Sequence, residues 1–527
     1  MESPLNEHKT PNYDYVIVGS GFGGSVSALR LAEKGYKVLV VEKGKWYKSD
    51  DFPKTNWNLR KWLWLPSFKL FGIMKMTFFR HIGIISGVGV GGGSLVYANT
   101  LPKPKKAFYN TGSWAGLADW EKELEAHYET AWEMLGATEN PYLEYGDDIL
   151  KKLAESQNRP QHFSPTKVAV FFGEPDTTVP DPYFKGKGPE RSGCTSCGAC
   201  MTGCRHNAKN TLDKNYLHLA QDLGVEIIAE QEVVDIQYIG KTDGSVGYKI
   251  FYRDSTKFIK KEKVVHAKGV ILAGGVLGTV KLLLKLKEKS LPLLSDKVGM
   301  DIRSNNESLI FSVSPDKEKD LSKGIAIGSI YQADDNTHLE AVRYGRGSGF
   351  WRLGIVANVS SGNILRRLAE LAAKTLSSPV AYFKRLTVKD FAKHSIVLLF
   401  MQHLDSTLRF RRGAFGMRSS VSEGEKPVAS IPLANTLADE YGTKINGKSF
   451  VLLTETLFNI PSTAHILGGC VIGKDKSQGV IDHKHNVFGY KNLVVADGSA
   501  ISANPGVNPS LTITAMTERA MRFIKEK

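Results

Sequence analysis

The chain has 527 residues, 51 of them glycine, with 42% hydrophobic and 23% charged residues. That is the make-up of a globular protein large enough for two interlocked domains. A net charge of +15 favours an anionic partner such as a membrane surface, but no nucleic-acid-binding module is recognisable and nucleic acid is not an expected partner. No run is apolar enough for a membrane-spanning helix, and the polar start MESPLNEHKTPNYD lacks a leader pattern, so a cytoplasmic location is expected.

Tyr15-Val16-Ile17-Val18 is a β-branched apolar run of the kind that forms a buried parallel strand. It enters Gly19-Ser20-Gly21-Phe22-Gly23-Gly24, which fits G-x-G-x-x-G. A helix follows with Ser25, Ala28, Leu29 and Ala32 on one face, and a second strand, Lys37 to Val41, ends at Glu42. Strand, turn, helix, strand and acid at these separations specify a dinucleotide site. Gly19 permits the tight turn, Gly21 lets backbone approach a pyrophosphate, and Gly24 lets the helix sit close on the strand. The helix N-terminus favours the anion, and Glu42 accepts from the ribose hydroxyls of the adenosine half. An acid at that place disfavours a 2′-phosphate, which leaves NAD or FAD.

Residues 46–82 are dense in Trp, Phe, Leu and Met with basic residues interleaved. They read either as a core excursion or as a lid over a greasy substrate that also touches a membrane surface. Next come Gly91-Gly92-Gly93-Ser94 and, a little further on, Asn99. Three consecutive glycines imply backbone lying flat against something planar or charged. Trp120 to Leu135 is an amphipathic helix, and 225–228 and 233–236 read as strands. Val270 to Gly275 followed by a helix over 279–286 is a second strand–turn–helix unit of the nucleotide domain. From 306 to 460 the pattern becomes that of a half-covered antiparallel sheet. It is interrupted by a basic amphipathic stretch, 364–386, with Arg366, Arg367, Lys374, Lys384 and Arg385. This stretch is read as a surface helix, with membrane docking as the alternative. The last 65 residues return to glycine-rich strand–helix texture.

Cys194, Cys197, Cys200 and Cys204 follow the C-x2-C-x2-C-x3-C spacing of bacterial ferredoxins, without the following Pro. Three readings stay open at this point: an iron–sulfur cluster, zinc, or thiols packing a tight loop.

Four blocks, the N-terminal G-x-G-x-x-G, GVGGGSLV (89–96), AHILGGCVIG (464–473) and GYKNLVVADGSAISANPGVNPSLTITAMTERA (489–520), resemble the glucose–methanol–choline (GMC) family of flavoprotein oxidoreductases. Within it, the chain is most similar to the bacterial FAD-dependent cholesterol oxidases. The resemblance implies FAD rather than NAD. It implies an α/β fold in which a Rossmann-like FAD-binding domain (11–100, 191–305 and 461–527) is interwoven with an α+β substrate domain (101–190 and 306–460) built on a largely antiparallel sheet. By resemblance His465 and Asn508 form the active-site pair, His465 activating the substrate hydroxyl and Asn508 orienting it as hydride passes to flavin N5. Asp497, with Gly498, matches the position beside the pyrophosphate and ribityl chain, and Val233 or Val234 is a backbone contact to adenine. The expected substrate is a bulky hydrophobic alcohol, sterol-like, with O2 or an electron carrier as acceptor. The alternative is an iron–sulfur flavin dehydrogenase of a sugar or polyol. Cholesterol oxidases also use a Glu for steroid double-bond isomerisation, expected in the substrate sheet near 390–410. His394 to Asp405 reads HSIVLLFMQHLD and contains no Glu.

Overall fold

The computed structural model describes residues 12–359, 363–404, 406–414, 416–422 and 427–527; the side chains of Ala381 and Lys384 are also left undescribed. Two seven-stranded sheets organise the chain. In the first, the apolar run Tyr13–Val18 lies parallel between Val38–Val41 and Glu262–Leu272. Glu226–Ile228 extends the parallel part beyond Val38–Val41, and Leu493–Val495 joins Glu262–Leu272. The first half of the 11-residue strand Glu262–Leu272 turns the other way and carries the antiparallel arms Tyr248–Asp254 and Gln231–Tyr238. Val16, Ile17, Val40, Val270, Ile271 and Leu272 have essentially no exposed surface, as expected of strands covered on both faces. Helices Phe22–Glu33 and Gly275–Lys287 follow the two strand–turn units.

The second sheet is antiparallel throughout, in the order Ile355–Ala357, Lys448–Leu452, Ser308–Val313, Ser395–Gln402, Thr337–Val342, Ile327–Gln332, Phe163–Pro165. The expected half-covered sheet is corrected at its centre, where Ser395 to Met401 is buried on both faces. Helices Tyr145–Ser156 and Pro432–Lys444 cover one face through Ile149, Leu153, Leu437 and Tyr441. The other face turns toward the nucleotide domain, so SIVLLFMQ is a continuous apolar run rather than an alternating one.

Residues 46–82 fold into a packed layer. Tyr47, Phe52, Trp62, Ile73 and Met74 form their own core with Leu95, and Trp62 meets the rings of Phe350 and Trp351 edge-on. Residues 364–386 form two helices, Ile364–Ser377 and Pro379–Thr387. The break falls at Pro379, whose ring cannot continue a helix from the preceding turn. Among the described residues no helix is long and apolar enough to cross a membrane.

Candidate active site

A cavity of about 720 Å3 runs from the first glycine loop to the inner face of the second sheet. At the nucleotide end its wall includes Gly19, Gly21, Glu42, Gly92, Gly93, Val233, Val234, Asp497 and Gly498. Gly19 has φ +100°, and a Cβ there would lie 2.4 Å from the Ala273 carbonyl oxygen. A Cβ on Gly21 would meet only Gly92 Cα at 3.9 Å, so the space Gly21 leaves open is cavity. Gly92 in turn backs onto Gly21, and the two glycine loops touch. Ser20 ties them to the acid: its N–H and Oγ–H donate to Glu42 Oε2 at 3.1 and 2.8 Å, while Gly91 N–H donates to Ser20 Oγ at 3.1 Å.

Gly24, Gly91, Ser94 and Asn99 do not reach the cavity surface; they shape the wall behind it. A Cβ on Gly24 would lie 2.0 Å from Gly19 O, and Ser94 Oγ accepts from Leu212 N–H at 3.1 Å. Asn99 holds a left-handed φ of +73° and is fully buried. Neither polar atom of its side chain has a partner, and its neighbours Ala98 and Thr100 line the cavity. Asp497 is enclosed and saturated: Gly275 N–H and Thr279 Oγ–H donate to Oδ2 at 2.9 and 2.5 Å, and Ser499 N–H and Oγ–H to Oδ1 at 2.8 and 2.5 Å. Burial raises its pKa despite these four bonds. It anchors the first turn of helix Gly275–Lys287 to the cavity wall. An open cradle at Gly21, the carboxylate of Glu42 at the cavity wall and a helix N-terminus beside them fit a dinucleotide cofactor.

Lys209 is a contributor that no motif announced. Its buried ammonium donates to the carbonyls of Leu95, Tyr97 and Cys200 at 3.1, 2.8 and 2.8 Å, fastening the second glycine loop to the cysteine-rich segment. Burial pushes its pKa down to about 7, against the pull of Cys200 and Cys204.

The opposite end of the cavity is apolar. Leu309, Phe311, Val342, Val397 and Leu399 come from one sheet face, and Met201, Trp351 and Leu452 complete the wall. His465 and Asn508 stand where the two ends meet. The strand Ser462–Thr463 pairs with Gly83–Gly87, and Leu467 exchanges backbone hydrogen bonds with Arg303 at 2.8 and 2.9 Å. That lacing brings Glu307, at the mouth of strand Ser308–Val313, behind the imidazole. His465 Nδ1–H donates to Glu307 Oε1 at 2.9 Å. Glu307 also accepts from Thr463 Oγ–H at 2.5 Å and from Ala464 N–H at 2.9 Å. Burial opposes both charges, but the mutual attraction and these bonds outweigh it, lowering the Glu307 pKa below 4.5 and raising that of His465 above 6.5.

Asn508 Nδ2 lies 3.5 Å from His465 Nε2 and donates to Glu340 Oε2 at 3.2 Å. A carboxylate repels a carbonyl oxygen, so Glu340 fixes the amide with Oδ1 turned away, and that buried Oδ1 has no partner. Glu340 in turn accepts from His338 Nε2–H at 2.9 Å. Residues 390–410 hold no Glu; on the neighbouring strand Glu340 stands opposite Leu399 in register, on the face that also carries Val342. Glu307 and Glu340 carried no local motif; only strand pairing finds them.

Of the three readings of the cysteine run, the structure supports thiols packing a tight loop and gives no support to the iron–sulfur cluster. Among the described residues no group of three or more His, Cys, Asp or Glu is placed to hold a metal, and Cys194, Cys197, Cys200 and Cys204 are free thiols. Cys194, Cys200 and Cys204 instead pack against Val168, Val170, Ala208 and Ile325. Burial pushes the Cys194 and Cys200 thiols up, Cys200 to about 11.

Family models agree with this architecture. The GMC oxidoreductase models match residues 183–286 and 433–517, and an FAD-binding-domain model matches 14–50. The chain is 45% identical to a cholesterol oxidase of Acinetobacter baumannii, over 98% of this chain and 95% of that protein. It is 42% identical to a cholesterol oxidase of Mycobacterium tuberculosis, over 97% and 90%. A long-chain-alcohol oxidase of Arabidopsis thaliana is 24% identical over 95% of this chain and 66% of its own length. Among solved structures, pyridoxine 4-oxidase from Mesorbium loti superposes with a TM-score of 0.61 at 14% identity, covering 97% of this chain and 99% of that one, and so shares the fold. With the glycine cradle, the buried carboxylate of Glu42 and near full-length relatives in agreement, the chain belongs to the GMC family of FAD-dependent oxidoreductases and is an enzyme acting on CH–OH donors.

Proposed function

We propose that the enzyme oxidises the secondary hydroxyl of a sterol-like alcohol, with O2 as the final acceptor. The observation that carries this is the apolar end of the cavity, a sheet face of Leu, Phe and Val whose polar groups gather at His465 and Asn508. A flat, rigid hydrocarbon with one hydroxyl matches such a wall, whereas a polyol needs hydrogen-bonding groups along its whole length. The names of the relatives at 42–45% identity support the same substrate class.

In this reading His465 and Asn508 are the catalytic pair. Neutral His465, its Nδ1–H committed to Glu307, presents the Nε2 lone pair to the substrate hydroxyl. The amide of Asn508, held by Glu340, orients the same hydroxyl. Bound FAD, held by the 19–24 loop, Glu42 and the 91–94 loop, supplies the two-electron acceptor for the carbinol hydride. The hydroxyl proton passes to His465, and Glu307 stabilises the imidazolium that results.

Glu340 supports a second activity on the same product. Glu340 lies on the substrate-facing sheet in contact with Asn508, and moving the double bond of a 3-keto-5-ene steroid calls for a carboxylate base of this kind. Peripheral docking is part of the proposal as well. Leu365, Leu376 and Phe383 are 73%, 78% and 68% exposed on the helix pair 364–387, alongside Arg366 and Lys374, a composition suited to an anionic lipid surface that holds the substrate.

Parallel assays of O2 consumption with sterols, long-chain alcohols and sugars test the reading. Sterol should give the highest kcat/KM, with ketone and peroxide formed in equal amounts. Comparable turnover of sugars, or a protein purified without flavin and unable to take it up, would sink it. Vesicle co-sedimentation should weaken as salt rises.

A further inference from the structure

Lys75 is a cation in the cavity wall that none of the chemistry above uses. It lies on the short strand Met74–Phe78, which pairs antiparallel with Gly83–Gly87, and it stands opposite Ser86. Directly opposite residues share one face of such a pair, and both Lys75 and Ser86 line the cavity. The next residue, Gly87, backs onto the second glycine loop, where a Cβ would lie 2.6 Å from Gly92 O and 3.0 Å from Gly93 Cα. Gly92 touches Gly21 in turn, so the strand pair that carries Lys75 borders the open cradle.

Two more lysines line the same cavity, Lys43 directly after Glu42 and Lys281 on helix Gly275–Lys287. Among the described residues none of the three ammonium groups has a hydrogen bond or an ion pair. Burial of Lys75 pushes its pKa down to about 7, Lys43 and Lys281 push it the same way, and Glu232 opposes them. Glu232 stands opposite Arg253 in register and 3.6 Å from its guanidinium. The oxygens of Glu42, next to Lys43, are engaged by Ser20 and by Gly44 N–H. Lys285 and Arg412, also in the wall, are engaged by Val234 O and Glu288. The neighbouring strands Gly83–Gly87 and Trp64–Leu65 bring no titratable side chain. Like charges gathered in a partly dry place are costly until an anion joins them.

We propose that Lys75, flanked by Lys43 and Lys281, is the cation that neutralises the pyrophosphate of FAD, and that it takes up a proton as the cofactor binds. The glycine cradle and the helix N-terminus offer the phosphates backbone N–H groups and a partial positive charge, but no full one. Lys75 supplies the full charge from the adjoining strand pair. Without flavin its neighbours are two cations, and it is half neutral near pH 7. A bound dianion reverses that balance and holds the ammonium charged. Cofactor affinity and proton uptake are therefore linked. The inference concerns the cofactor site alone and is independent of which alcohol is oxidised.

The test titrates FAD calorimetrically into the full-length protein stripped of flavin, in buffers of different ionisation enthalpy, which counts protons bound per flavin. Wild type should take up roughly one proton at pH 8 and close to none at pH 6, where a group with a pKa of about 7 is already charged. Lys75→Met should lose that uptake and bind FAD about 10–100-fold more weakly, the range for a lost hydrogen bond to a charged group. Lys75→Arg should keep most of the affinity and show no uptake, because a guanidinium is charged with or without flavin. His465 and Asp497 also line the cavity with shifted pKa values. They are present in all three proteins, so the difference in proton count belongs to Lys75. A proton count equal in wild type and variants, or an unaltered FAD affinity in Lys75→Met, would overturn the proposal. Should the Met variant fail to fold, the proton count of Lys75→Arg decides. Where the stripped chain does not survive, flavin release from the holoenzyme carries the comparison: it should be faster in Lys75→Met and unchanged in Lys75→Arg, and equal release from all three would overturn the proposal as well.

Discussion

The two histidine–carboxylate pairs that flank Asn508 are built in opposite order. In one, the imidazole of His465 faces the cavity and Glu307 is sealed behind it, at 12% and 0% exposure. In the other, the carboxylate of Glu340 is nearer the cavity and the imidazole of His338 lies behind. Glu307 receives Thr463, Ala464 and His465 as donors and is held anionic. Among the described residues Glu340 is bonded by His338 and Asn508 alone. On the proposed function, the difference teaches that the group in front decides the proton chemistry. An imidazole in front suits the hydroxyl proton of an alcohol, and a carboxylate in front suits a proton on carbon.

The largest effect should come from removing the front group of the first pair. His465→Ala should lower sterol oxidation by about 10²–10⁴-fold, the range for a positioned acid–base group. Most of the loss should fall on kcat, with flavin absorbance retained. If the variant lost its flavin and recovered normal turnover on adding FAD, the role of His465 would be structural. Glu340→Gln should reverse the pattern, costing isomerisation about 10²-fold or more and oxidation less than about tenfold. Equal losses in both assays would erase the division of labour between the pairs.

Altering the rear group of the first pair should do less. Glu307→Gln still offers an oxygen to His465 Nδ1–H, so a loss of about 10–100-fold is expected. More telling is the pH profile. His465 must be neutral to accept a proton, and Glu307 raises its pKa above 6.5. The acid limb of kcat/KM should therefore lie above 6.5 in wild type and move down in Glu307→Gln; an unmoved limb would contradict the pairing.

The smallest effect concerns stability. Glu307, with its pKa lowered below 4.5, contributes stability that is present above 4.5 and lost as pH falls through its folded value. His465, with its pKa raised above 6.5, contributes stability that is full below 6.5 and lost as pH rises through its folded value. Both contributions are complete between 4.5 and 6.5. Thermal melts of Glu307→Gln should fall furthest below wild type in that window, and a Tm difference independent of pH would argue against the charged pair.

How much of this was legible in the sequence depends on how far apart the partners lie. The first glycine loop and Glu42 were readable because strand, turn and helix follow one another within a single unit. His465 and Asn508 were readable through block resemblance. Glu307 and Glu340 were not, since they sit 158 and 168 residues from the side chains they hold, and nothing short of strand register shows that Glu340 faces Leu399. The cysteine run stayed open among three readings for a different reason. Its spacing is that of a cluster, yet the thiols' apolar neighbours, Val168, Val170 and Ile325, come from other parts of the chain.

The cavity wall also has an order of manufacture. It needs Gly19 and Gly21 from the beginning of the chain, Val234 and Thr279 from its middle, and His465, Asp497 and Asn508 from near its end. Leu493–Val495 completes the sheet beside Glu262–Leu272. During synthesis the growing chain therefore displays a nucleotide loop with no pocket around it until the segment 464–513 has left the ribosome. Flavin capture is therefore expected late in the life of this polypeptide, and a chain cut short before residue 464 should purify colourless even with FAD in excess.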